Sequence, residues 1–364
     1  MAIIVKKFGG TSLSDLDHIK NAAERVLECV QEGDTPVVVV SAMAGVTADI
    51  LKTLKSSGLG SNPKEHDVAA AAGEQISAGI FALTLEGMGL AARSWMGWQV
   101  PIVTSSEAGE AKIKKVHAEN LKASLKSGEI PVIAGYQGVT KEGRITTLGR
   151  GGSDITAVAL AAALKAKRCD IYTDVPGIYT TDPKFVPTAR KLNAISYSEI
   201  LELAAVGAKV MHHRAVVIAM RYQVPIQVLT SYENRPGTMI VHEKDLNHGR
   251  VVSGIACSDS EAKVSVIGIP DEPGAVAAIF KPLADHNISV DLIVQDISRE
   301  PGLADLTFTV DKEWLEKALE LIKEAREKPG YSEIVTDAEV IKLTVVGLGL
   351  AGQAGVAQKM FNAL

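Results

Sequence analysis

Short runs of β-branched and apolar residues recur along the first two-thirds of the chain, and helical periodicities separate several of them. The runs are residues 3–5, 37–40, 132–134, 171–173 and 226–229, each next to turn residues. This alternation is typical of an α/β domain whose buried sheet is covered by helices. The apolar spacing also predicts a helix that begins near Ser14, whose side chain would cap its first turn, and ends at Gly33.

The pattern changes after about residue 240. Residues 243–250 are polar and lack periodicity, so we place a domain boundary there. The following segments predict a smaller unit in the order βαββαβ, which is typical of a ferredoxin-like fold. Its strands are expected at residues 264–269, 288–294, 306–310 and 341–346, and its helices at 274–286 and 312–328. A further glycine-rich turn and helix begin at Gly347 and are expected to be incomplete.

Composition and charge exclude several classes of function. A chain of 364 residues is long enough for two domains. The formal net charge of -5 comes without any dense basic segment, so no nucleic-acid partner is expected. Three scattered cysteines form no metal or disulfide pattern and favour a reducing cytoplasm. The apolar start at residues 1–7 is too short for a signal peptide, and the apolar run at 157–164 is too short for a membrane span, so no membrane partner is expected.

Two glycine-rich turns are candidates for binding phosphate. In the first, residues 7–12, Lys7 precedes Gly9 and Gly10, unlike the order of a Walker A loop. The second, residues 148–154, joins three glycines to Arg150 and leads into an alanine-rich helix that Ser153 or Asp154 would cap. Residues 40–47 and 173–184 also follow predicted strands, where open α/β sheets bind ligands. Alone, the segments at 7–12, 40–47 and 173–184 could equally be ordinary turns or loops, whereas few structural turns need the combination of residues at 148–154.

Taken together, these segments resemble the aspartate kinases of the amino-acid kinase fold. The similar motifs are residues 7–12, 72–74, 147–154, 173–174, 177–179 and 182–183, in the same order and spacing. The resemblance implies an amino-acid kinase-like three-layer α/β/α sandwich in residues 1–245 and a linker in 246–263. A ferredoxin-like ACT domain would follow in 264–338, and an incomplete second one in 339–364. The implied activity is ATP-dependent phosphorylation of the L-aspartate side-chain carboxylate, towards lysine, threonine and methionine.

The resemblance also implies roles for individual residues. Lys7 and Asp154 would be catalytic. L-Aspartate would be bound by Ser41, Thr47, Glu74, Arg150, Gly151, Gly152, Ser153 and Asp154. ATP, with Mg²⁺ carried on it and no metal held by the protein itself, would contact Lys7, Phe8, Gly9, Gly10, Thr173, Asp174, Tyr179, Asp182, Lys184 and Lys209. The chain departs from the usual residues of the family at Ile155, Pro176 and Lys184, which affects the details of these contacts.

The chemistry of this reaction requires no general base. A carboxylate with a pKa near 4 is already ionised at neutral pH and can attack the γ-phosphate directly. Lys7 is expected to stabilise charge on the transferred group, with Asp154 orienting Lys7. Glu74 and Arg150 would complement the ammonium and α-carboxylate groups of a free amino acid.

The segment around residues 269–276, with residues 286–288, is similar to ACT domains. In that family, paired ACT domains bind amino acids. This resemblance implies feedback inhibition by lysine or threonine, and assembly of the chain into a homo-oligomer. The expected effector contacts are Asp271, Gly274, Ala275, Asn287, Ile288, Asp291 and Gln295.

Other functions remain open at this level. A sibling kinase acting on acetylglutamate, glutamate or a nucleotide is one alternative, and a catalytically silent effector-binding subunit is another. Residues 347–352 match a dinucleotide-binding fingerprint in form, but too few residues follow for the rest of a βαβ unit. His212 and His213 lack a third metal ligand and are interpreted as ordinary helix positions.

Overall fold

A computed structural model of the chain describes residues 1–56, 60–205, 211–246, 251–298, 300–324, 330–350, 353 and 355–364. The chain divides into two compact units. One comprises residues 1–255 with 345–364, and the other comprises residues 256–344.

Strands and helices alternate through the larger unit, as the apolar pattern predicts. The strands of the chain are β1 (Ile3–Phe8), β2 (Thr35–Val40), β3 (Ala92–Trp95), β4 (Ile102–Thr104), β5 (Ile113–Val116), β6 (Ile130–Ala134), β7 (Gln137–Val139), β8 (Ile145–Thr147), β9 (Arg168–Thr173), β10 (Ala194–Ser196), β11 (Ile226–Thr230), β12 (Thr238–Val241), β13 (Gly254–Ser258), β14 (Glu261–Pro270), β15 (Val290–Ile297), β16 (Leu303–Asp311), β17 (Glu333–Asp337) and β18 (Lys342–Val346). The helices are α1 (Leu16–Gln31), α2 (Val46–Ser56), α3 (Pro63–Ala70), α4 (Ala72–Gly87), α5 (Glu119–Lys126), α6 (Gly152–Leu164), α7 (Tyr197–Ala205), α8 (His213–Tyr222), α9 (Ala275–Asp285), α10 (Leu315–Glu324) and α11 (Val356–Ala363). Short 3-10 helices occur at Gly10–Leu13, Glu243–Asp245 and Lys312–Trp314.

An eight-stranded sheet with the order β10-β12-β11-β9-β1-β2-β6-β3 organises the larger unit. Its central strands are parallel, and β12 runs antiparallel to β11. Helices α1 and α4 pack on one face around Phe8, Val38 and Phe81. Helix α6 packs on β1, β2 and β9. Successive side chains of a strand point to opposite faces, so the residues of β1 and β9 that alternate with Phe8 and Tyr172 point away from this core. Helix α6 covers that second face. This is the α/β/α sandwich expected from the sequence.

Two helix starts differ from the predicted ones. Helix α1 is capped by Asp15, which accepts hydrogen bonds from the backbone N–H groups of Asp17 (3.0 Å) and His18 (2.9 Å). Ser14 has helical backbone angles because it ends the preceding 3-10 helix, so the predicted cap is wrong. Helix α6 starts after Gly151 in a left-handed conformation, with neither Ser153 nor Asp154 as its cap.

The smaller unit is a four-stranded antiparallel sheet with the order β15-β16-β14-β17. Helices α9 and α10 supply Ile279, Leu283 and Leu321 to a core that includes Leu306 and Phe308. The ferredoxin-like βαββαβ order is therefore confirmed. Its last strand is β17, which was not predicted, whereas the strand predicted at 341–346 forms as β18 and pairs with β13.

Helices α3 and α4 together form the one stretch, among the residues that the structure describes, with the length and apolar character of a membrane span. Half of its most apolar window is buried inside the protein. This burial is typical of core helices in globular domains.

Candidate active site

Three loops that follow adjacent parallel strands meet at one edge of the large sheet. Strand β1 lies between β2 and β9, so their carboxyl ends coincide. The backbone N–H of Gly9 donates to the carbonyl of Tyr172 (3.3 Å), and that of Ser41 donates to the carbonyl of Phe8 (3.1 Å). Three segments that are distant in sequence, residues 7–12, 40–47 and 173–184, therefore begin side by side.

A cavity of about 380 Å³ opens at this edge. It is lined by all the residues predicted for catalysis and amino-acid binding: Lys7, Ser41, Thr47, Glu74, Arg150, Gly151, Gly152, Ser153 and Asp154. Its other lining residues are Leu51, Tyr136 and Gly149, which the sequence analysis missed as site residues. Tyr136 comes two positions after the last residue of the buried strand β6, and that position was the available signal. It adopts a left-handed φ of 68°, which is rare for a bulky residue and concentrates at functional sites.

Lys7 forms an ion pair with Asp154 inside the cavity. The distance from Nζ to Oδ1 is 2.6 Å, and the two side chains are 11% and 14% exposed. Lys7 belongs to β1, and Asp154 lies in the first turn of α6. Because little water surrounds the pair, the lysine charge is weakly screened and acts strongly on any anion beside it.

Glu74 is buried without a full set of partners. It is 4% exposed, and its Oε1 accepts a hydrogen bond from the Ala42 backbone N–H (3.1 Å). Its Oε2 has no hydrogen-bond partner among the described residues. Helix α4 approaches this loop closely, since a Cβ on Gly73 would lie 2.7 Å from that of Ala42. A buried carboxylate oxygen left unpaired in a cavity fits the binding of a cationic group.

The same burial changes the titration of Glu74. Loss of solvation raises its pKa from 4.5 to about 7, which the bond from Ala42 only partly offsets. An ammonium ligand requires the ionised carboxylate. We therefore expect the KM for an amino-acid substrate to be constant above pH 7 and to rise up to about tenfold per pH unit below it. Initial rates measured at fixed ATP between pH 5.5 and 8.5 test this, and a KM that stays flat down to pH 5.5 would contradict it.

The turn before α6 requires glycine. Gly149 and Gly151 have φ values of 73° and 69°. A Cβ on Gly151 would lie only 2.3 Å from the Cβ of His212, so this turn packs directly on the residue that precedes α8. The turn brings the positive end of α6 to the cavity, where it favours a bound anion. Arg150, which is exposed, forms no ion pair within the described part of the chain.

Replacing Gly151 by alanine is expected to abolish measurable turnover. The left-handed backbone and the clash with His212 would together displace the turn that carries Arg150 and Asp154. Steady-state rates measured alongside circular dichroism separate this effect from unfolding. Gly143 offers a matched control, because it also has positive φ (83°) but nothing lies within 4 Å of its Cβ position. A fully active Gly151→Ala enzyme would contradict the argument.

The residues predicted to bind ATP fall into two groups. Gly9 and Gly10 form a cradle that side chains would fill, since a Cβ on Gly10 would lie 3.0 Å from the Ala42 carbonyl oxygen. Phe8 is fully buried and stacks on Tyr172 (4.6 Å between ring centroids), so only its backbone can face a nucleotide. The second group lies outside the cavity lining, at the end of β9 and in the loop after it: Thr173, Asp174, Tyr179, Asp182 and Lys184. Lys209 lies outside the described residues.

This glycine cradle and the adjoining lysine fit the phosphates of ATP. No cluster of three or more His, Cys, Asp or Glu side chains that could hold a metal occurs among the described residues.

The predicted effector residues do not converge within one copy of the smaller unit. Asp271, Gly274 and Ala275 follow the end of β14, whereas Asn287, Ile288 and Asp291 lie at the start of β15. Strands β14 and β15 both pair antiparallel with β16, which places Asp291 level with Lys263. The two groups are therefore about 20 Å apart along the sheet. Gln295 lies between them, level with Val266. Asp291 already forms an ion pair with Lys342 (2.6 Å).

Comparisons with known proteins agree with this architecture. The amino acid kinase family matches residues 2–230, and the ACT domain family matches residues 264–327. The aspartate kinase of Pseudomonas putida KT2440 is 43% identical over the whole chain, which covers 89% of that protein. The structure of E. coli aspartokinase III with aspartate and ADP is 27% identical, with a TM-score of 0.78 over 99% of this chain and 91% of that one. Its complex with lysine and aspartate, also 27% identical, has a TM-score of 0.79 over 100% of this chain and 91% of that one.

A lysine and a glycine-rich helix start at the carboxyl edge of this sheet, followed by an ACT domain, define an amino acid kinase with a regulatory module. Within that class, the chain belongs to the aspartate kinase family.

Proposed function

We propose that this chain transfers the γ-phosphoryl group of ATP to the side-chain carboxylate of L-aspartate, giving 4-phospho-L-aspartate and ADP. The observation that carries the proposal is the unpaired, buried Oε2 of Glu74 in the same cavity as Arg150 and the Lys7–Asp154 pair. One cavity thus offers an anionic group for an ammonium, a cation for an α-carboxylate and a cation for a phosphoryl group. The related enzyme of E. coli binds aspartate and ADP.

The proposed chemistry depends on alignment and charge. A carboxylate oxygen of aspartate attacks the γ-phosphorus while the bond to the bridging oxygen of ADP breaks. Lys7 and the start of α6 stabilise the charge on the transferred group, and Asp154 holds the Lys7 ammonium in place. Mg²⁺ carried with ATP would supply further positive charge at the phosphates. Thr173, Asp174, Tyr179, Asp182 and Lys184 are proposed to border the nucleotide, as are Lys209 and the Gly9–Gly10 cradle.

A substrate panel tests this function. Purified protein is incubated with ATP and Mg²⁺ and with aspartate, glutamate, acetylglutamate or UMP, and acyl phosphate is trapped with hydroxylamine. ADP release measured in parallel reports turnover of UMP as well. Turnover of aspartate alone is expected. Turnover of another substrate would identify a sibling kinase, and no turnover with amino-acid binding intact would identify a regulatory subunit.

We also propose that lysine or threonine regulates the enzyme through paired ACT domains in a homo-oligomer. Support comes from β15, an edge strand of the smaller unit whose Leu292, Ile293, Val294 and Ile297 are 51–87% exposed. Such an apolar edge favours addition of strands from another copy. Pairing of two units would also bring the separated effector groups of different copies together. The related E. coli enzyme binds lysine together with aspartate.

Replacing Ile293 by lysine is expected to shift the protein from a dimer or larger assembly towards the monomer. Charge on an edge strand opposes pairing with another strand. Sedimentation velocity, together with inhibition curves for lysine and threonine, measures both consequences. Lys359 is an exposed position of the other unit, so Lys359→Gln serves as a control. An unchanged assembly state with full inhibition would remove β15 from the proposed interface.

A cytoplasmic location is proposed as well, supported by three unpaired cysteines.

A further inference from the structure

Two segments meet just before the turn that carries Arg150 and Asp154. They are residues 109–111 and residues 147–148, joined by a hydrogen bond from the Ala111 N–H to the Thr147 carbonyl (2.9 Å). Ala111 and Leu148 are fully buried, and Thr147 is nearly so. Their position therefore sets where the turn begins.

Asp67, on α3, accepts hydrogen bonds from N–H groups of both segments. It is 3% exposed, and it accepts hydrogen bonds from the Gly109 N–H (2.9 and 3.2 Å) and the Thr147 N–H (3.1 Å). It also accepts one from the Thr147 hydroxyl (2.7 Å). Both carboxylate oxygens are thus engaged by donors around one point. The sequence analysis did not single out this residue, which lies outside the cavity lining.

Arg214, in the first turn of α8, donates hydrogen bonds to carbonyl groups of the same two segments. Its guanidinium donates to the Leu148 carbonyl (2.6 Å) and to the Ala111 carbonyl (3.1 Å). The fit around it is close, since a Cβ on Gly149 would lie 3.6 Å from the guanidinium and 2.9 Å from the Gly109 carbonyl oxygen. Like Asp67, Arg214 does not line the cavity.

We propose that Asp67 and Arg214 are positioning residues for the 149–154 turn, which we name the transfer turn. The Asp67 carboxylate accepts hydrogen bonds from the donors of the two segments, and the Arg214 guanidinium donates hydrogen bonds to the carbonyl groups of the same two segments. Charge-assisted hydrogen bonds of this kind are shorter and stronger than neutral ones and fix geometry. Burying a charged group such as Asp67 away from any ligand is costly. All the described side-chain hydrogen bonds of Asp67 and of the partly buried Arg214 go to the segments that hold the transfer turn.

The inference rests on the proposed function for its kinetic readout only. A displacement of about 1 Å at a reacting centre can cost about a hundredfold in rate. Lysine in place of Arg214 reaches one carbonyl and not two, because it lacks the planar fork. Asparagine in place of Asp67 keeps one acceptor oxygen and turns the other into a donor that opposes the N–H groups.

The test compares Arg214→Lys and Asp67→Asn with matched controls on the same helices. Arg221→Lys changes an exposed arginine of α8, and Glu65→Gln changes an exposed carboxylate of α3. We expect kcat to fall about a hundredfold in the two test variants and to stay near the wild-type value in the controls. The KM for ATP should change little, and the double variant should be barely slower than the slower single variant, because both residues hold the same segments.

Hydrogen exchange provides a readout that does not depend on activity. Peptides covering residues 145–156 should exchange faster in the test variants, with no change in peptides of the distant strand β11. If Asp67→Asn does not fold, the pair Thr147→Val and Thr147→Ser replaces it, since only serine keeps the hydroxyl that bonds to Asp67. Serine should restore both kcat and protection.

The outcomes separate the two proposals. Wild-type protein that turns over no aspartate would overturn the proposed function, and the exchange data would still decide the role of Asp67 and Arg214. Active wild type with unchanged kcat per folded molecule and unchanged exchange in the variants would overturn the positioning role. A uniform rise in exchange across the larger unit would assign both residues to general stability, which also overturns it.

Discussion

Replacing Lys7 by methionine is expected to lower kcat for aspartate phosphorylation about a thousandfold. The ammonium of Lys7 lines the cavity, is 11% exposed and lies 2.6 Å from Asp154. Methionine preserves the length of the side chain while removing the charge, so the transferred group loses a largely buried cation. The measurement is ADP release at saturating ATP and aspartate.

The adjacent lysine provides the matched control. Lys6 points to the opposite face of β1, where its ammonium donates to the Tyr172 hydroxyl (2.9 Å) and to Asp170 (3.3 Å). Lys6→Met should lower thermal stability and leave kcat close to wild type. Removing one partner of a buried ion pair typically lowers the free energy of unfolding by about 3–5 kcal/mol, and the loss in Lys6→Met should be smaller. Asp170 is still held by Arg168 at 2.7 Å. Equal losses of turnover in the two variants would refute the role assigned to Lys7.

Replacing Glu74 by glutamine is expected to raise the KM for L-aspartate about a hundredfold, since a buried charge partner of the substrate ammonium is lost. Succinate, which has both carboxylates and no ammonium, provides a second comparison. The wild-type preference for aspartate over succinate should collapse in Glu74→Gln. Glu86, an exposed residue near the end of the same helix, gives the control variant Glu86→Gln. A preference that survives in Glu74→Gln would place the ammonium elsewhere.

The same substitution should stabilise the protein without substrate above neutral pH. Burial raises the pKa of Glu74 from 4.5 to about 7, so the folded protein favours the protonated form. The stability associated with that proton is fully present below pH 4.5 and is lost as pH rises through 7. At pH 8 this loss amounts to about 3 kcal/mol, which glutamine avoids. Thermal melts at pH 5 and pH 8 should show Glu74→Gln gaining on wild type only at the higher pH.

Local features of the sequence predicted the strands, and the family resemblance supplied the candidate site residues. The β-branched runs predicted the central strands, and the eight residues expected around the amino acid line one cavity together with Lys7. Glycines at 149 and 151 marked a turn whose left-handed backbone angles favour glycine. Such signals are readable because strand alternation and glycine turns depend on neighbouring residues.

Long-range contacts decided what the local pattern could not show. The short β-branched run at residues 334–336 was not predicted as a strand, and it forms β17 by pairing with β14. The resemblance grouped the effector residues together, but they lie at opposite ends of the sheet. Strands β14 and β15 run in the same direction, so the end of β14 and the start of β15 are far apart.

The alternation of a strand determines that Lys6 and Lys7 face opposite ways. Only the tertiary structure decides that Lys7 meets Asp154, 147 positions later, while Lys6 meets Asp170. The same holds for Asp67 and Arg214, whose role depends on segments that the folded chain brings from 42 to 103 residues away. The chemistry of each side chain is a property of the sequence. Its burial, partner and pKa follow from packing, because solvation and charge interactions depend on distance in space and not along the chain.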